Sequence, residues 1–128
     1  MNRHVTGLAI LLTGAVIGAA AVETLHAQAK PLAFQIAEVT IHDQDGFNKD
    51  FAPLIGKVVT EGGGKFLARG GRTVSIHGAP ADPRIVVVQF DNFEKMQALF
   101  DSAAFKQAVA VGDKYAAQRI YGVEGMSP

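Results

Sequence analysis

The chain has no cysteine. Disulfides, thiolate nucleophiles and zinc–thiolate sites are therefore excluded, as is anchoring through a lipid-modified cysteine. It also has no net charge, because 12 lysines and arginines balance 12 aspartates and glutamates. The lack of a basic stripe to neutralise a row of phosphates argues against nucleic-acid binding as a main role. Several site motifs are missing too. There is no Gly-x-Ser-x-Gly elbow, and Ser75 and Ser102 have no base close by in sequence, which argues against a hydrolase triad. Asp43-Gln44-Asp45-Gly46 has the look of a calcium loop. In that register, however, Ile41 and Ala52 fall on the first and twelfth positions, where carboxylates are required. Gly64-Lys65 fails as a phosphate loop, since Phe66 replaces the hydroxyl residue and Val59 the leading glycine. Both stretches read as turns. Internal repeats and low-complexity tracts are absent.

What is present is ordinary globular composition: 128 residues, 48% hydrophobic and 19% charged, enough for one domain. The first residues stand apart from it. Arg3 and His4 form a positive start, residues 5–22 carry no charge, and Glu23 ends the apolar run. Ala27-Gln28-Ala29 then offers a small-x-small cleavage site before Lys30, with Leu25-His26-Ala27 a poorer second one. This layout predicts a secretory signal peptide over residues 1–29, or an anchor if it stays uncleaved. In both cases the domain, residues 30–128, is exported, and a bacterial periplasm is the expected home. Losing Arg3 and Glu23 leaves the domain neutral.

Within the domain, Ala33 to Ile41 alternates well enough to predict a first strand. His42 to Gly46 is a polar turn in which Asp43 or Asp45 can cap a helix. Phe47, Phe51, Leu54 or Ile55, and Val58 recur at helical spacing, with Pro53 expected to kink or split that helix. Gly62-Gly63 stops it, and Lys65 to Arg69 forms a short strand between two glycine hinges. Residues 73–77 suggest a short strand or an extended arm, and residues 78–83 a loop. Arg84 to Phe90, with Ile85-Val86-Val87-Val88, predicts a strand buried on both faces. Asp91 and Glu94 have capping-box spacing for a helix carrying Met96, Leu99 and Phe100. Ser102 can cap a second segment with Phe105, Val109 and Tyr115, and residues 119–123 give the last strand.

The order strand, helix, strand, strand, helix, strand predicts an α+β, ferredoxin-like βαββαβ fold after the signal helix. Its four-stranded antiparallel sheet has two helices on one face. The other face would be left bare and apolar, so a homodimer joined sheet to sheet is expected. Gly-Gly-x-Phe-Leu-x-Arg-Gly-Gly at 63–71, Arg84-Ile-Val-Val-Val, Asp101-Ser102, Arg119 and Val123-Glu124-Gly125 together resemble one known family. It is the domain-of-unknown-function family number 1330 (DUF1330), of the dimeric α+β barrel superfamily. The resemblance covers residues 32–125 and implies the same homodimer, its two sheets closed into a barrel. Similar sequences often carry tyrosine where Phe47, Phe51 and Phe105 stand, and Pro-Glu where Ala103-Ala104 stands. Chemistry that needs those phenols or that carboxylate is absent here.

For function, Gln35, Arg69, Arg119 and Tyr121 are the candidate ligand-binding residues. Arginine in a sheet-lined cleft is a natural clamp for a carboxylate or enolate. The competing reading pairs Arg69 and Arg119 with Glu38, Glu124 or Asp101 in structural ion pairs. Only His42 and His77 remain after the signal is removed, and Asp43 or Asp82 would have to join them to make three metal ligands. No metal or cofactor is expected. Three readings follow. The first is an exported, dimeric small-molecule-binding protein taking a small organic anion. The second is a cofactor-free enzyme, monooxygenase- or isomerase-like, with His77 or His42 as its base. The third is a structural protein without a ligand.

Overall fold

The computed structural model describes residues 29–82 and 84–128. The signal segment, residues 1–28, lies outside them. Residues 31–127 make one compact unit. Strand β1 (Ala33–Ile41) leads through a capped turn into α1 (Gln44–Gly46), a π-helical turn (Phe47–Phe51) and α2 (Ala52–Glu61). Strands β2 (Lys65–Arg69) and β3 (Arg84–Phe90) follow, then α3 (Phe93–Asp101), α4 (Ala103–Gly112) and β4 (Ala116–Glu124). The sheet order is β2-β3-β1-β4, and β3 and β4 both run antiparallel to β1. This is the ferredoxin-like arrangement expected from the chain order.

Local chemistry accounts for the breaks. Asp43 accepts from the Gly46 N–H at 3.0 Å and starts the first helical run. Pro53 cannot donate to the ladder, and the backbone changes from π to α spacing at Phe51/Ala52, next to it. Ser102 caps α4 by accepting from the Phe105 N–H at 3.2 Å, which splits the second helical run as expected. The cap of α3 changes. Asn92, not Asp91, caps α3, accepting from the Lys95 N–H at 2.9 Å, while Asp91 pairs with the Lys95 ammonium. Of the two readings of residues 73–77, strand or arm, the strand is not formed, and Val74 and Ile76 are exposed. The last strand begins three residues early, and Tyr115 lies in the turn before it.

Pairing sorts the side chains into two faces. Gln35, Ala37 and Val39 stand opposite Val88, Val86 and Arg84 on one side, and opposite Gly122, Ile120 and Gln118 on the other. This set faces the helices. Phe34, Ile36, Glu38, Ile85, Val87, Arg119, Tyr121 and Val123 occupy the alternate positions and so lie on the other face. Under the helices are two apolar clusters. One holds Val59, Val88, Phe90, Met96, Leu99 and Phe105. The other holds Ala37, Val39, Phe47, Phe51 and Ala116. Ile55, Val86 and Ile120 pack against both, and at this seam the molecule has a cleft.

Candidate functional site

The cleft lies between the sheet and the π turn with α2. Its apolar wall includes Phe47, Phe51, Ile55, Phe66, Val86 and Ile120. Its polar lining is Gln35, Arg69, Arg84 and Gln118, with no carboxylate among them. Free space in it is about 30 Å³, room for roughly two waters. A larger guest requires the aromatic side, Phe47 and Phe51, to move. Those two rings meet edge to face at 5.1 Å on the π turn. Turns of this kind concentrate at functional sites.

A β-bulge puts Arg69 there. Phe66 and Arg69 are three residues apart, so strict alternation would send them to opposite faces. The register between β2 and β3 shifts between Phe66 and Ala68, and Arg69 comes to lie opposite Val86 on the helix side. Its guanidinium covers the Phe66 ring at 4.4 Å and donates from Nη2 to the Ala52 carbonyl at 2.7 Å. Gly56 makes that approach fit, since a Cβ there would sit 3.1 Å from Arg69 Nη1.

Arg84 is the second cation. It lies opposite Val39 and over the Phe47 ring at 5.3 Å. Its Nε is buried without a hydrogen-bond partner. Gly70 forms its seat: φ there is +73°, and a Cβ would lie 2.8 Å from Arg84 Cζ. Burial, and then the nearby Arg69 charge, push the Arg84 guanidinium below its ordinary value. An arginine so placed stays protonated, so the strain is like-charge repulsion and desolvation rather than loss of the proton. No ion pair with a described carboxylate relieves either arginine. Gln35 is 3% exposed, and its Oε1 also lacks a partner. Gln118 is engaged, donating from Nε2 to Asp113 at 3.1 Å and to the Val109 carbonyl at 3.3 Å.

The residues expected from the sequence therefore divide. Gln35 and Arg69 line the cleft. Arg119 and Tyr121 do not, because they stand on the other face of the sheet. Arg119 pairs there with Glu38 at 3.4 Å and covers the Tyr121 ring at 5.2 Å. A single anion gripped by Arg69 and Arg119 together is ruled out by the sheet between them. His42 and His77 are both exposed, and neither lines the cleft. Arg84 was not singled out. Its signal was the charge that opens an otherwise apolar strand directly after Pro83, which reads equally well as a solvated strand end.

The sequence profile of the family described as domain of unknown function (DUF1330) matches residues 32–126. The chain belongs to this family. No curated protein matches this DUF1330 chain in sequence. Among solved structures, it is similar to a protein of unknown function from Rhodopseudomonas palustris. The identity is 15% and the TM-score 0.55, covering 77% of this chain and 85% of that one. It is also similar to SnoaB, a cofactor-independent oxygenase from Streptomyces nogalater. There the identity is 9% and the TM-score 0.54, covering 77% of this chain and 96% of that one. At such identities the likeness shows a shared fold and no shared chemistry.

Proposed function

We propose that this DUF1330 protein is an exported, homodimeric small-molecule-binding protein whose cleft takes a small organic anion on Arg84 and Arg69. One observation carries the reading. Two guanidinium groups converge on an apolar cleft that has no carboxylate in its lining, and one buried Nε has no partner. Arg84 is partly buried without counter-charge, which is costly, and an anion in the cleft would supply the missing charge to it and to the exposed Arg69 beside it. The planar fork of arginine suits a carboxylate in particular. Binding is favoured over base catalysis because no histidine, tyrosine or acidic side chain lines the cleft. Export rests on the charge and cleavage pattern of residues 1–29. The dimer rests on the open sheet face, where Phe34, Ile36, Ile85, Val87 and Val123 form an apolar surface that a second copy can cover. A thermal-shift screen of small carboxylic acids tests the binding. Acids should stabilise the wild type and leave Arg84→Met unmoved; equal responses from both would reject the reading.

A further inference from the structure

The cleft holds a second unmet demand besides its cations. Gln35 is buried, it lines the cleft, and its Oε1 has no donor. Arg69, Val86 and Ala37 form one row of side chains across the sheet, and Gln35 belongs to the next row, with Val88 and Phe66. Arg84 lies a further row the other way, opposite Val39. Two residues along a strand span about 7 Å, so along the strands the Gln35 row is about 7 Å from the Arg69 row and about 13 Å from the Arg84 row, while the Arg69 guanidinium leans over Phe66 in the Gln35 row. A carboxylate held on Arg84, two rows away, leaves Gln35 for a second polar group. Between them the wall is apolar, from Phe66, Val86, Ile120, Phe47 and Phe51.

We infer that the ligand is a hydroxy-carboxylic acid with its two polar groups at opposite ends of an apolar body. The carboxylate lies on Arg84 and Arg69, and the far hydroxyl donates to Gln35 Oε1. This rests on the proposed anion site and specifies its other end. A carboxylate at the far end would require the amide to turn and present Nε2 instead, and a plain hydrocarbon end would leave Oε1 unsatisfied. A donor meets the need with the amide as it stands. A para-hydroxyaryl acid carries its two polar groups at opposite ends of a flat apolar ring, and the three phenylalanines supply faces for it. Seating it requires Phe47 and Phe51 to part, since the free space is about 30 Å³.

Calorimetric titration of the purified protein with 4-hydroxybenzoate, benzoate and 4-methoxybenzoate tests the inference. The hydroxy acid should bind at least roughly ten-fold more tightly than either of the others, the effect of satisfying a buried acceptor. Gln35→Met should lose the preference for the hydroxyl, binding 4-hydroxybenzoate and benzoate alike. The ligand comparison on the wild type stands even if that variant folds poorly. Equal binding of all three acids, a preference for the methoxy acid, or a hydroxyl preference that survives Gln35→Met would overturn the inference while leaving the anion site intact. Failure of every acid to bind would instead overturn the anion site, and this inference with it.

Discussion

Replacing Gly70 by alanine separates a structural seat from a flexible loop. Gly70 has φ +73°, and its N–H donates to the Ile85 carbonyl at 3.0 Å. Alanine keeps that hydrogen bond. It brings a left-handed backbone penalty of about 1–2 kcal/mol and a Cβ that overlaps the Arg84 guanidinium. Because the end of an arginine can swing away, the overlap adds less than a full overpacking cost, on the order of 1 kcal/mol. The expected loss in urea denaturation is therefore about 2–3 kcal/mol. Displacing Arg84 should also weaken carboxylate binding by roughly ten-fold or more. Gly71→Ala is the control. Nothing lies within 4 Å of the added Cβ and φ is not positive, so its effect should stay within about 0.5 kcal/mol. If Gly70→Ala and Gly71→Ala behave alike in stability and in binding, Gly70 is not the seat of Arg84 and the site geometry is wrong.

Other outcomes follow from the same structure. Val87→Asp puts a charge in the middle of the open sheet face. It should convert a dimer to monomers in analytical ultracentrifugation while the folded far-ultraviolet spectrum persists; a monomeric wild type would end the dimer proposal. Intact mass of protein recovered from the exported fraction should show a chain beginning at Lys30 or Gln28; full-length chain held in the membrane would contradict cleavage. Tyr115 donates to Asp50 at 2.5 Å. That bond, then desolvation and the charges of Asp50 and Asp43, hold its phenol above the ordinary value of 10.0. The unfolded chain therefore ionises first. This stabilisation is complete below pH 10.0 and is lost as the pH climbs through the folded value. Tyr115→Phe should flatten that alkaline decline in denaturation midpoint, and an unchanged decline would assign it to other groups.

Much of the fold could be read directly from residue order. Period-two spacing in Ala33 to Ile41, the helical spacing of Phe47 and Phe51, and the β-branched run Ile85 to Val88 each specify one kind of element. Glycine at 62–64 and 70–71 marked both ends of β2 correctly. The site was only half legible, for a definite reason. Which face a strand residue occupies follows from counting by twos, and the bulge in β2 breaks the count between Phe66 and Ala68. Arg69 and Arg119 looked equivalent in sequence, yet one joins the cleft and the other pairs with Glu38 across the sheet. Arg84 was hidden because its role depends on Gly70 and Phe47, two residues far from it in the chain and joined to it only by folding. The cap of α3 shows the same limit on a small scale. Asp91 and Asn92 both have capping side chains, and backbone geometry selects Asn92.

The central claim is that Arg84, with Arg69, forms an anion site on the helix side of the sheet. Calorimetric titration of benzoate into wild type, Arg84→Met and Arg119→Ala tests it most directly. Removing a guanidinium from a carboxylate should cost about 2–4 kcal/mol, roughly 30- to 1,000-fold in affinity. The account predicts that loss for Arg84→Met and near wild-type binding for Arg119→Ala. The reverse pattern, in which Arg119→Ala abolishes binding and Arg84→Met keeps it, would place the ligand on the open face and contradict the account.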